Sequence, residues 1–142
     1  MSAADDVLEA NRTFYAAFEA RDLKAMAEVW ECSDRATVTH PGRPTLRSWP
    51  AVAESWRRIF EHTPYIQFFL TDEAVVVAGD AAWVTLYENI LQEVPGRRGG
   101  PGEGSGPSDA VLGDARIAAT NVFVRDEGSW RMVVHHGSPV AG

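Results

Sequence analysis

Ala36-Thr37-Val38-Thr39-His40-Pro41-Gly42 is the stretch of sequence from which the rest of this chain can be interpreted. Its β-branched residues predict a short strand, and the Pro-Gly pair predicts a turn that ends the strand at once. His40 therefore lies at a strand end, where clefts usually open, and its imidazole titrates near neutral pH. Two more of the 4 histidines, His135 and His136, end the last predicted strand. Together these histidines predict a pocket.

The segments around this strand predict an α+β domain. Helices are expected near residues 5–20, after Asp22, which can cap a helix, and from Ser48 or Trp49 to Pro64. The pattern then changes to strands, predicted at residues 65–77, 81–94, 115–125 and 129–136. Helices followed by an antiparallel meander predict that the helices cover one face of a curved sheet.

Composition narrows the class of protein. The 142 residues fit one domain, and the 45% hydrophobic content supports an ordinary core. The net charge of -7 argues against nucleic acid and against an anionic membrane surface as partners. No apolar run is long enough to span a bilayer, and the N-terminus does not resemble a signal peptide. Cys32 is the single cysteine, so no intrachain disulfide can form, and a cytoplasmic location is predicted.

Common cofactor motifs are missing from the sequence. There is no CxxC, HExxH, GxGxxG or Walker pattern, so neither a metal nor a nucleotide cofactor is predicted. Residues 95–107 contain half of the 12 glycines and three of the 8 prolines. A flexible loop is therefore predicted at about 95–113, either a passive hairpin extension or a lid over an active site.

Three segments resemble the SnoaL-like branch of the NTF2-like superfamily. They are FYAAFEARD at 14–22, ATVTHP at 36–41 and GSWRMVVHHGS at 128–138. The resemblance covers nearly the whole chain and implies one domain over residues 1–142. The implied fold is a cone, with three N-terminal helices packed on a strongly curved, mainly antiparallel sheet, and a homodimer through the outer sheet face. The superfamily includes isomerases, dehydratases, epoxide hydrolases, cyclases and binding domains, so the activity stays open.

The ketosteroid isomerase branch of that superfamily implies roles for individual residues. His40 takes the position of its general base, which precedes a proline at the end of the first strand. Asn121 takes the position of its oxyanion-hole acid on the penultimate strand. The tyrosine of its first helix is matched by Phe14, with Tyr15 one position later. Its pocket aromatics correspond to Trp30 and Trp56.

The alternation of side chains along a strand predicts which residues share a face. Trp83, Thr85 and Tyr87 share one face, Asn121 and Phe123 share another, and His135 points opposite to His136. We expect the first two faces and that of His135 to converge on one mainly aromatic pocket, as small-molecule sites usually are. The predicted pocket residues are Phe14, Tyr15, Trp30, Trp56, Phe60, Trp83, Thr85, Tyr87 and Phe123.

These residues support proton-transfer chemistry on a small apolar ligand. His40 could remove a proton next to a carbonyl, Asn121 could stabilise the oxyanion, and His135 could protonate a leaving group. The predicted function is a cofactor-free isomerase, dehydratase or cyclase acting on an apolar carbonyl-bearing metabolite. The alternative is a non-catalytic ligand-binding or dimerisation module.

Each candidate catalytic residue also has a structural interpretation. His40 could bond to the backbone at the strand edge, and Asn121 could satisfy another buried polar group. His135 and His136 could serve a structural or subunit-interface role. A metal held by His40 and His135 would lack an evident third ligand.

Overall fold

The structure is a computed structural model that describes residues 2–94 and 111–141. The helices in this part of the chain are α1 (Ala3–Ala20), α2 (Leu23–Val29) and α3 (Trp49–His62). The strands are β1 (Thr37–Thr39), β2 (Leu46–Arg47), β3 (Tyr65–Ala78), β4 (Ala81–Val94), β5 (Val111–Asp126) and β6 (Ser129–Pro139). Most of the loop predicted at 95–113 lies outside the described residues. Its last three positions belong to β5, which begins earlier than predicted.

Capping chemistry sets the starts of the helices. Asp22 accepts a hydrogen bond on Oδ1 from the Ala25 N–H at 3.1 Å, which confirms the predicted cap of α2. Ser2 Oγ caps α1 in the same way, also at 3.1 Å. α3 begins at Trp49, with Pro50 in its first turn, where a missing N–H costs nothing.

The six strands form one sheet in the order β2-β1-β6-β5-β4-β3. β1 runs parallel to β6, and the other neighbours are antiparallel. The predicted α+β architecture is therefore confirmed. Register shifts within β3, between Thr71 and Ala74, and within β5–β6, beside Phe123, interrupt the ladders, and such irregularities bend a sheet.

The β1–β6 pairing positions the site. Val38 pairs with His135 and Thr39 pairs with His136, so His40 follows directly beside the C-terminal half of β6. Gly137 lets the turn after β1 approach closely, because a Cβ there would lie 3.2 Å from Pro41 Cγ and 2.9 Å from Ile117 Cγ2. The two histidine-bearing strand ends are thus adjacent.

An aromatic core fills the space between the helices and the inner sheet face. The Phe14 and Trp56 ring centres are 5.6 Å apart, and those of Phe18 and Phe68 are 4.6 Å apart. Burying each such side chain stabilises the fold by about 1.5–3 kcal/mol. None of the helices in the described part of the chain has the length and apolar character needed to cross a bilayer.

The predicted orientation of β4 is wrong. Ala82, Val84, Leu86 and Glu88 are the buried side chains of this strand. Trp83 and Thr85 are exposed, and Tyr87 is half-buried under the Arg116 guanidinium, which lies 4.2 Å from the ring centre. Since Val84 pairs with Asn121 and paired residues share a face, the side chains of Trp83, Thr85 and Tyr87 lie on the outer face.

Candidate functional site

A tight turn ends β1 and positions His40. The Arg43 N–H donates to the His40 carbonyl at 2.9 Å, and Gly42 has φ +73°. Pro41 stands at the second position and Gly42 at the third, as a type II turn requires. The Pro41-Gly42 pair therefore ends β1, as the sequence predicts. The turn also places Arg43 close to His40.

Ser55 of α3 fixes the proton of His40. The Ser55 hydroxyl donates to the Val52 carbonyl at 2.7 Å, so its oxygen is left to accept a hydrogen bond from His40 Nε2 at 2.9 Å. This pattern assigns the proton to Nε2 and leaves a lone pair on Nδ1. Burial, with the nearby charge of Arg43 as a smaller cause, lowers the pKa of His40 to about 4. The ring is therefore neutral at pH 7.

His40 opens onto a cavity of about 580 Å³ between α3 and the segment that joins β1 to β2. Ligand sites for small molecules usually have volumes of about 300–1,000 Å³. The wall combines apolar side chains with a few polar and charged groups. The lining residues are His40, Pro41, Arg43, Pro44, Leu46, Ala51, Glu54, Ser55, Arg58 and Ile59.

A second group of polar side chains lies buried deeper, on the inner sheet face. Asn121 Oδ1 accepts from His135 Nδ1 at 2.6 Å. Asn121 Nδ2 donates to Asn11 Oδ1 at 2.8 Å and to the Tyr15 hydroxyl at 3.1 Å. Tyr15 in turn donates to Glu88 Oε2 at 2.5 Å. We call these five residues the interior network. Both amide hydrogens of Asn121 are used inside it.

Burial disfavours the charged forms of the titratable residues in the interior network. It raises the pKa of Glu88 to about 7, against a smaller opposing effect of the Tyr15 hydrogen bond. It also lowers the pKa of His135 to about 3, helped by the nearby His40 and His136. His135 Nε2 lies 3.9 Å from Glu88 Oε2, yet both shifts disfavour the charged forms. At pH 7 the pair is therefore a neutral imidazole beside an acid that is about half protonated.

Trp56 contacts both His40, which lines the cavity, and His135 of the interior network. Its ring centre is 4.8 Å from that of His40 and 5.9 Å from that of His135, and the two histidine rings are 6.5 Å apart. Within the described residues, the buried Nε1 atoms of Trp56 and Trp30 have no acceptor. An unpaired buried donor costs about 1–3 kcal/mol.

The structure brings the three predicted catalytic residues together in part. Asn121 and His135 are hydrogen-bonded, and the rings of His40 and His135 both contact the ring of Trp56. His135 points inward and His136 is exposed. The other aromatic residues predicted for the pocket pack in the hydrophobic core, and the described lining of the cavity does not include them. These residues are Phe14, Tyr15, Trp30, Trp56, Phe60 and Phe123.

Sequence reasoning missed several residues of the site. Glu88 could have been found, because it continues the inward register of Ala82, Val84 and Leu86 as the one acidic residue among them. Ser55 follows Val52 at helical spacing beside Trp56, so it too was recoverable. Among the described residues, no group of three or more His, Cys, Asp or Glu side chains could hold a metal.

Comparison with known proteins gives this chain relatives over nearly its whole length. The family model of the SnoaL-like domain matches residues 7–142. A solved candidate dehydratase of the NTF2-like family from Streptomyces avermitilis is 36% identical, with a TM-score of 0.80 over 98% of this chain and 96% of that one. A candidate calcium/calmodulin-dependent protein kinase type II association domain from Thiobacillus denitrificans is 30% identical, with a TM-score of 0.69 and 93% of each chain covered.

A curated relative comes from a plant. F-box protein SKIP8 from Arabidopsis thaliana is 28% identical over 134 residues, which are 93% of this chain and 48% of that protein. The chain thus spans about half the length of this curated relative.

Proposed function

Because the chain belongs to the SnoaL-like family of the NTF2-like superfamily, we propose that it is a cofactor-free proton-transfer enzyme with His40 as its base. The observation that carries this proposal is the His40 ring itself. Its Nε2 proton is held by Ser55, its Nδ1 has no hydrogen-bond partner in the described part of the chain, and it lines an open cavity of about 580 Å³. A dehydratase or isomerase acting on an apolar carbonyl compound fits this arrangement.

The proposed step is a proton transfer from carbon. His40 Nδ1 accepts a proton from the carbon next to a substrate carbonyl, and the C–H electron pair moves into an enolate. The Nε2–H bond to Ser55 stabilises the imidazolium that results. The proton then returns to another carbon, which is isomerisation, or joins a departing hydroxyl group as water, which is dehydration. A base whose pKa is about 4 is weak, so the substrate C–H must already be acidic.

The interior network has a supporting role in this mechanism. The oxyanion role predicted for Asn121 would need a free amide hydrogen, and both of its amide hydrogens are donated within the protein. In the proposed enzyme Asn121 instead orients His135 through Oδ1. Since His135 is neutral, the acid beside it that carries a transferable proton near pH 7 is Glu88.

The alternative function is a ligand-binding or dimerisation module without catalysis. It is favoured by the closed state of the interior network, whose hydrogen bonds are made within the protein. One relative is a candidate kinase association domain, which is consistent with a binding role. In this case an apolar ligand would occupy the cavity and leave unchanged.

Deuterium exchange distinguishes the two functions. Exchange at the α-carbon of cyclic β-hydroxyketones and β,γ-unsaturated ketones would be followed by NMR with the wild-type chain. The enzyme is expected to accelerate exchange, and His40→Gln is expected to lose about 100-fold or more of that rate. His62→Gln, an exposed histidine on α3, is the matched control. Binding without accelerated exchange, or full activity in His40→Gln, would overturn the proposal.

The pH profile of the exchange gives an independent prediction. Since the pKa of His40 is lowered to about 4, the base stays unprotonated well below neutrality. The exchange rate constant is therefore expected to stay level from pH 7.5 to about 5 and to fall as pH drops through about 4. A fall centred near pH 6.5 would point to a solvent-exposed histidine as the base.

A further inference from the structure

The cavity at His40 has a basic wall in an acidic protein. The chain carries a net charge of -7, yet Arg43 and Arg58 both line this cavity. Glu54 is the acidic lining residue, and its carboxylate is already held by Arg57 at 2.7 and 2.9 Å and by Arg58 Nε at 3.1 Å. The negative charge of Glu54 is therefore offset by two arginines of the same helix, α3. Arg43, in contrast, makes no ion pair with any described residue.

The turn after β1 fixes the backbone of Arg43, whose side chain is exposed. Pro41 fixes one backbone angle, Gly42 takes the left-handed conformation, and the Arg43 N–H is bonded to the His40 carbonyl. Arg43 is therefore three residues from the proposed base, and both side chains line the same cavity. The surfaces of Pro44, Leu46 and Ile59 give the rest of the wall an apolar character.

We propose that Arg43 binds a carboxylate, so that the ligand of this cavity is an organic acid with an apolar body. A guanidinium group recognises a carboxylate through two parallel N–H···O bonds, which a neutral group of the same shape cannot reproduce. The apolar body would pack on the proline, leucine and isoleucine side chains. This inference rests on the proposed function for the site, and it narrows the substrate to an apolar oxo acid.

Two probes of equal shape and different charge test the inference. Cyclohexylacetate and cyclohexylacetamide would be titrated into the full chain by calorimetry at pH 7. The acid is expected to bind at least about tenfold more tightly than the amide, because hydrogen bonds to charged groups are the stronger ones. In Arg43→Gln the acid should lose this advantage while the amide binds as before. Arg47→Gln, an exposed arginine on β2 that does not line the cavity, is the matched control.

Three results would overturn the inference: no binding of the acid, equal affinity for acid and amide, or an acid preference that survives in Arg43→Gln. Deuterium exchange separates this inference from the proposed enzyme. An acid preference without exchange of either neutral ketones or apolar oxo acids would support carboxylate binding and refute catalysis. Exchange of neutral ketones without an acid preference would support catalysis and refute carboxylate binding.

Discussion

At the scale of single residues, Glu88 is the most unusual feature of the fold. It is 2% exposed on the inner face of β4, among aromatic and aliphatic side chains. Tyr15 donates to it, and the pKa of Tyr15 is itself raised well above its usual value by burial and by Glu88. Tyr15 therefore stays protonated and remains a donor. Desolvation still dominates at Glu88, which holds a proton at pH values where an exposed glutamate has lost it.

Glu88→Gln is expected to change how stability depends on pH. Between about pH 4.5 and 7 the native wild type keeps a proton that the unfolded chain has released. Its free energy of unfolding therefore falls as pH rises through this window, whereas glutamine does not titrate. The stability of Glu88→Gln relative to wild type should thus rise with pH, by up to about 3 kcal/mol. Urea unfolding at pH 5 and pH 8 measures this difference.

The control for this experiment is Glu93→Gln, a partly exposed carboxylate on the same strand. The histidines are common to all of these variants, so their titration cancels in the comparison. A stability difference between Glu88→Gln and wild type that is the same at both pH values would contradict the raised pKa of Glu88.

At the scale of elements, sequence reasoning succeeded where the signal is local. The Asp22 cap, the start of α3 and the turn after His40 each follow from neighbouring residues, and the structure confirms all three. β2 was not predicted, because a strand of two residues is too short to show an alternation of polar and apolar side chains. It forms because Thr37 and Val38 of β1 offer it a pairing edge.

β4 shows why the site was predicted only in part. Alternation offered two faces, and the aromatic residues Trp83 and Tyr87 suggested the wrong one. The inner face was chosen by tertiary packing, since Val84 and Leu86 meet the core helices there. The hydrogen-bond partners of Asn121 could not be predicted from local sequence either, because Asn11 lies on a helix 110 residues away along the chain.

The turn after β1 gives a prediction at this scale. Gly42 has φ +73°, and a Cβ at this position would meet nothing within 4 Å, so Gly42→Ala is strained in its backbone alone. We expect it to lower the free energy of unfolding by about 1 kcal/mol, and Gly42→Asn to lower it less, since asparagine tolerates this conformation. Chemical denaturation compares the three chains. Equal stability of the alanine variant and wild type would show that the turn is not held in this conformation.

At the scale of the whole molecule, the outer sheet face is the notable surface. Phe69 is 53% exposed, Val76 44% and Trp83 37%, and all three lie on this face of β3 and β4. Val76 pairs directly with Trp83, whereas Phe69 pairs with Asn89, further along β4. Exposed large apolar groups that cluster on one face often mark protein contacts. We therefore propose that this face binds a second copy of the chain, as the family resemblance implies.

Trp83→Lys tests the proposed homodimer. A charge in the middle of an apolar interface loses its hydration without gaining a partner, so the variant is expected to be monomeric. Light scattering after size-exclusion chromatography would report the mass of each chain. Thr13→Lys, on an exposed position of α1, should keep the mass of wild type. A wild-type chain that is already monomeric at micromolar concentration would refute the dimer.

The interior network also has an evolutionary consequence. Asn121 donates two hydrogen bonds and accepts one, so replacing any of its partners strands a polar atom away from water. Single substitutions at Asn11, Tyr15 or His135 should therefore destabilise the fold and be removed by selection. Joint replacement of these residues by apolar ones should preserve stability. Across the lineages that share this fold, these positions are expected to covary as a single inherited block.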